Sequence, residues 1–128
     1  MKLVLDSGGV SHLTERTPRA LALMRELRAN EIWPPLVPTV VLIECLSGRA
    51  GADAQANRFL KSCDVVPEIA PALARRCAAL RHRAGRGSAV DAAVVGLAEP
   101  DGVVLTSDPD DLRALAAEAA GVEIHPAA

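Results

Sequence analysis

Aromatic side chains are almost absent from this chain: its 128 residues include no Tyr, and Trp33 and Phe59 are the only large rings. Stacking against bases or other flat ligands therefore has little to draw on. Cysteine is sparse and odd in number, at Cys45, Cys63 and Cys77, with no C-x-x-C pair. That spacing speaks against a disulfide framework and suits small buried hydrophobes in a reduced, cytoplasmic protein. No apolar run approaches the length of a membrane span, and Met1 to Leu5 runs directly into Asp6 and two glycines. Neither a membrane helix nor a secretory leader is expected.

Charge of one sign is missing as well, since 14 Lys and Arg face 16 Asp and Glu for a formal net charge of -2. With no global attraction to polyanions, any nucleic-acid contact has to come from a local basic patch. No Gly-rich stretch matches a P-loop or dinucleotide fingerprint. Ser7, Ser11 and Ser88 lack both a nucleophile-elbow pattern and a plausible histidine partner. His12, His82 and His125 are scattered singles and read as surface or supporting residues rather than ligands.

What is present is a chain that is 50% hydrophobic and long enough to bury one continuous core. A single domain over residues 1–128 follows. Lys2 to Leu5 reads as a buried strand that delivers Asp6 to a Gly-Gly turn. Pro18 to Asn30 carries Leu21, Met24 and Leu27 at helical spacing. Ile32 to Val37 is broken by Pro34 and Pro35, which predicts a short strand near an edge or an extended segment. Thr39 to Leu46 is ambiguous: its β-branched run suits a strand, whereas Pro38-Thr39 suits a helix start with a capping hydroxyl, and helix is preferred.

Further helices are predicted over 52–61, 71–84, 88–98 and 109–119, with short strands over 65–66, 103–106 and 122–124. Strands alternating with helices along the whole length predict an α/β fold, a parallel sheet covered by helices on both faces.

Four acids stand out against this background. In an open α/β sheet, ligands sit beyond the carboxyl ends of the strands, where Asp6 and Asp108 both fall. Each has a bland alternative: Asp6 is a good turn residue, and Asp108 precedes Pro109, Asp110 and Asp111 in a favourable helix start. Glu44 interrupts an apolar segment, where an unpaired buried carboxylate would cost several kcal/mol. An exposed helix face or a pairing with Arg49 would explain it without chemistry. Asp91 interrupts an apolar helix too, although Ser88-x-x-Asp91 resembles a capping arrangement.

Brought together, these acids would repel, by roughly 4 kcal/mol for each pair of full charges at about 4 Å. Such a group holds protons or a metal ion. All-oxygen ligands select hard cations such as Mg²⁺ or Mn²⁺ over zinc. A cation held in this way can activate water against a phosphodiester.

Four segments together resemble the PIN domain family, and within it the VapC-type toxins of bacterial toxin-antitoxin pairs. They are LVLDSGGV at 3–10, VPTVVLIECLSGR at 37–49, SAVDAAVVGLA at 88–98 and VVLTSDPDDL at 103–112. The resemblance implies a three-layer α/β/α sandwich with a four- or five-stranded parallel sheet, and it implies that 39–46 is helical. It implies a Mg²⁺ or Mn²⁺ site on Asp6, Glu44, Asp91 and Asp108, with Asp110 preferred to Asp111 as a further ligand and with Thr106 and Ser107 in support.

It also implies an RNA substrate, a homodimer and a cognate antitoxin protein that blocks the site. The one basic cluster is Arg75, Arg76, Arg81, His82, Arg83 and Arg86. Of these, Arg81, Arg83 and Arg86 are the candidates for RNA contact, a solvated helix face being the alternative. The expected function is a metal-dependent endoribonuclease; a catalytically silent PIN-like binding module is the alternative. A receiver-like signalling domain needs a lysine at a late strand end, which Lys2 and Lys61 do not supply.

Overall fold

In the computed structural model, which describes residues 1–127, five parallel strands form one sheet in the order β3-β2-β1-β4-β5. The strands are β1 (Lys2–Leu5), β2 (Leu36–Pro38), β3 (Asp64–Val66), β4 (Gly102–Thr106) and β5 (Val122–Pro126). Between them run α1 (Ser7–Thr14), α2 (Pro18–Ala29), α3 (Thr39–Cys45), α4 (Ala50–Leu60), α5 (Pro71–Ala84), α6 (Ala89–Ala98) and α7 (Pro109–Ala117). Helix α1 packs against α2, α3 and α4, while α6 packs against α5 and α7, giving a three-layer α/β/α sandwich. No helix among the described residues is long and apolar enough to cross a membrane.

The central strands are apolar because they are covered on both faces. Leu3, Val4 and Leu5 of β1 and Val104 and Leu105 of β4 are all buried to within 1% of full burial. These two strands pair in register from Lys2↔Gly102 to Leu5↔Leu105, so they end side by side. The chain leaves β1 toward β2 on one side and reaches β4 on the other. The gap beyond β1 and β4 is therefore the switch point of the sheet, where loops diverge and leave room for a ligand.

Two local expectations change. The Gly-Gly pair after Asp6 is the first turn of α1 rather than a loop. Glycine is a poor helix former, but a Cβ on Gly9 would overlap the Leu105 carbonyl oxygen, and one on Gly8 would overlap the Ser107 hydroxyl. Close approach of α1 to the end of β4 overrides propensity. The short strand expected near an edge is β2, three residues beside the edge strand β3, with Pro34 and Pro35 before it and Pro38 at its last residue. Thr39 does not cap α3: Pro38 holds the N-cap position, and the Thr39 hydroxyl instead donates to the Pro67 carbonyl at 3.4 Å.

Candidate functional site

Asp6 occupies the N-cap of α1 at the end of β1, and its Oδ1 accepts the Gly9 N–H at 2.8 Å. Its Oδ2 accepts a hydrogen bond from the Thr106 hydroxyl, at the end of the neighbouring strand. That hydroxyl oxygen in turn accepts the Asp108 N–H at 3.0 Å. One fully buried threonine therefore ties the ends of β1 and β4 to the start of the following loop. Asp6 itself is 8% exposed. Burial pushes its pKa up; the bonds from Thr106 and Gly9 pull it down; the charges of Asp91 and Asp108 push it up again. The Asp6 carboxyl titrates above its ordinary range because water is excluded and two other acids are near.

Asp91 reaches the same place from the first turn of α6. The Ser88 hydroxyl accepts the Asp91 N–H at 3.0 Å and Asp91 Oδ2 accepts the Ser88 N–H at 3.1 Å, a complete capping box. The capping arrangement suggested by the sequence is present, and it leaves Asp91 Oδ1 without a protein partner among the described residues. Asp108 sits at the N-cap position of α7, yet its side chain makes no cap bond. The capping explanation for this acid is therefore not realised: its side chain is exposed and borders the cleft.

Glu44 also borders the cleft but is exposed rather than buried. The expected desolvation penalty does not apply, because only Val41 of α3 is buried and the last turn faces outward, with Ile43 at 81% exposure. Nor does Glu44 pair with Arg49; among the described residues it makes no ion pair.

The four acids thus line one cleft of about 480 Å³, together with the hydroxyl groups of Ser7, Ser11, Ser88 and Ser107. Ser107, the expected support, is in the lining, and Thr106 lies directly beneath it as the donor to Asp6. Ser7 and Ser11, one helical turn apart, join the lining because α1 is a helix; their i, i+4 spacing was the available signal. Cys45 also borders the cleft, but burial, then Asp53 and Glu44, push its thiol pKa up, so it is no thiolate nucleophile. Cys63 is pushed up to about 12 by burial.

Asp110 stands exposed in the first turn of α7, outside the cleft lining, and Asp111 pairs with Arg86 at 2.6 Å. The basic cluster is divided. Arg76 makes a two-pronged bond to Glu99, at 2.8 and 2.7 Å, and Arg81 Nε donates to the Gly87 carbonyl at 3.0 Å. Arg83 is exposed, and none of Arg81, Arg83 and Arg86 lines the cleft. Two of the six cluster members thus already have carboxylate partners. His12 is half-buried in α1 with Nε2 unpartnered among the described residues, and no histidine borders the cleft.

One buried acid escaped the sequence reading altogether. Asp53, buried in the first turn of α4, accepts the Ser47 N–H, the Ser47 hydroxyl and the Gly48 N–H, each at 2.9 Å. These bonds, the Ser47 N–H foremost, hold its carboxyl below the usual carboxylate range. They fasten the loop that follows Glu44 and so fix where α3 ends.

Among the described residues, no three acids, histidines or cysteines stand close enough together to chelate one ion directly. Mg²⁺ nonetheless suits this donor set, because it retains several waters and needs only one or two direct carboxylates. Oxygen donors dominate the lining, and Cys45, its thiol pKa pushed up by burial, offers no ready thiolate, so a hard cation is favoured over a soft one.

No family model matches the chain, and no curated protein does either. Among solved structures it is similar to the crystal structure of PAE2754 from Pyrobaculum aerophilum, with a TM-score of 0.64 and 19% identity. The match spans 97% of this chain and 92% of that one. A likeness at this identity carries the fold: the α/β sandwich described above extends over essentially the whole of both chains.

Proposed function

We propose that the chain is a metal-dependent endoribonuclease of the PIN-domain kind, acting as the VapC-type toxin of a toxin-antitoxin pair in the cytoplasm. The observation that carries this reading is the convergence of Asp6, Glu44, Asp91 and Asp108, from four separate elements, on one cleft at the sheet's switch point. Four carboxylates lining one cavity repel a phosphodiester unless a cation intervenes. Bound Mg²⁺ or Mn²⁺ would supply that neutralisation and lower the pKa of the attacking water.

The residues of the chain do the positioning. Asp6, held by two fixed donors, anchors the cleft floor. Asp108 shares the Thr106 hydroxyl through its backbone and offers a carboxylate free of capping. Asp91 offers one oxygen, its other being held in the capping box, and Glu44 closes the outer side. Ser7, Ser11, Ser88 and Ser107 provide neutral donors suited to phosphate oxygens. A homodimer and a blocking antitoxin protein belong to the same reading through the resemblance of the motif segments.

The test is cleavage of a panel of structured and single-stranded RNAs with Mg²⁺ or Mn²⁺, comparing wild type with Asp6→Asn and Asp91→Asn. Metal-dependent cleavage that is lost in both variants is expected. Activity that survives both sinks the assignment of the site. A folded wild type that cuts nothing favours the silent binding module, a reading favoured also by the absence of three acids at direct chelating distance.

A further inference from the structure

A second cavity, of about 220 Å³, lies at the other end of α1, between α2 and α4. Arg16, Arg28 and Arg58 line it, with Glu15 the only carboxylate among them. None of the three guanidinium groups makes an ion pair or a side-chain hydrogen bond among the described residues, unlike Arg76 and Arg86. Arg28 is held differently, with its guanidinium 4.8 Å from the centre of the Trp33 ring, and Trp33 packs edge-on against Phe59 of the cavity wall. A guanidinium held over a ring by cation–π attraction keeps N–H donors available for an anion.

Three cations around one hollow repel each other. An anion with several acceptor oxygens relieves that repulsion and takes up the unused donors.

Position suggests which anion. Helix α1 borders the acidic cleft with Ser7, Gly8 and Ser11 in its first turns and this cavity with Thr14 in its last. Its eight residues span only about 12 Å. We propose that the arginine-lined cavity at the end of α1 binds a backbone phosphate of the RNA strand whose neighbouring segment lies in the acidic cleft. This rests on the nuclease reading for the identity of the strand, but not for the anion site itself. It gives the chain a phosphate grip that the divided α5 cluster does not supply.

The double variant Arg16→Gln/Arg58→Gln tests it, both positions being exposed. Binding of a fluorescent oligoribonucleotide in EDTA, followed across a salt series, is expected to weaken by roughly tenfold for each guanidinium removed. The salt slope becomes shallower by about 1.4 for the two contacts. In cleavage assays KM rises while kcat holds. Unchanged affinity and slope overturn the proposal.

Inorganic phosphate alone separates this result from the fate of the nuclease reading. If neither protein cuts RNA but phosphate raises the melting temperature of wild type and not of the double variant, the anion site stands and the nuclease reading falls. Equal stabilisation of both proteins overturns the site. Competition by polyglutamate as potent as that by RNA overturns the RNA assignment in favour of an acidic protein segment.

Discussion

Replacing Asp6 in two ways separates its structural contribution from its charge. Asp6→Ala removes the acceptor for the Gly9 N–H, which costs about 1 kcal/mol as a lost helix cap. It also leaves the buried Thr106 hydroxyl without its acceptor, a further cost of about 1–2 kcal/mol. Asp6→Asn keeps Oδ1 for Gly9 and turns an amide toward Thr106, whose oxygen can accept from it, while the Thr106 hydroxyl proton loses its acceptor as it does in Asp6→Ala. The amide carries no charge into a buried position already facing Asp91 and Asp108. In EDTA at neutral pH relief of that charge offsets the lost bond, and the Asn variant should lie within about 1 kcal/mol of wild type. The Ala variant, which loses the cap and the amide bond as well, should fall about 1–2 kcal/mol below Asn, or roughly 4–8 °C in melting temperature for a domain of this size.

Two further readings come from the same melts. Because the folded carboxyl titrates above its unfolded counterpart at about 3.9, folding favours its protonated form. Wild type is therefore strongest relative to Asp6→Asn below that unfolded value, and the advantage is lost as pH rises through the raised folded value. Adding Mg²⁺ or Mn²⁺ at about a hundred times its dissociation constant should return about 2.7 kcal/mol to wild type and none to Asp6→Asn. Calorimetry or circular dichroism suffices. An Asn variant as weak as Ala in EDTA, or equal stabilisation of wild type and Asn by metal, refutes the reasoning.

Thr106→Val keeps the shape of a fully buried side chain but orphans Asp6 Oδ2 and the Asp108 N–H. A loss of about 2–4 kcal/mol in urea unfolding is expected, with reduced RNA cleavage. Asp53→Asn should flatten the acid limb of the stability curve. The depressed pKa of Asp53 contributes stability above the unfolded value that disappears as pH falls through the folded one, so variant and wild type should converge in acid. Gly9→Ala places a methyl group against the Leu105 carbonyl and should cost about 1–3 kcal/mol by denaturant titration, despite alanine's better helix propensity.

Most of the architecture was legible because its signals are local. Apolar strands, helical spacing and the Ser88-x-x-Asp91 cap all depend on neighbours in sequence, and each appears in the structure. The convergence of Asp6 and Asp108 was legible through the general rule for sheet switch points. Helix α1 was hidden because its reason lies a hundred residues away: glycines that read as a turn are demanded by Leu105 and Ser107. Glu44 borders the same cleft as the other three acids although the premise that singled it out failed, since an apolar sequence around it did not mean burial on a seven-residue helix with an outward last turn. The Asp53 clasp and the arginine-lined cavity depend on side-chain direction, which one sequence without tertiary contacts does not reveal.

The shared hydroxyl of Thr106 makes the acidic cleft mechanically lopsided. Asp6 and Asp108 belong to one jaw whose spacing is inherited from a hydrogen-bonded ladder between two central strands, so it is as stiff as the sheet itself. Glu44 faces it from the last turn of a short surface helix whose end the Asp53 clasp holds, yet its long exposed side chain can change rotamer without disturbing the core. A vise with one fixed and one adjustable face grips objects of slightly different size. Under the proposed function, that build accommodates both Mg²⁺ and the larger Mn²⁺ and leaves the choice between them to their abundance in the cell.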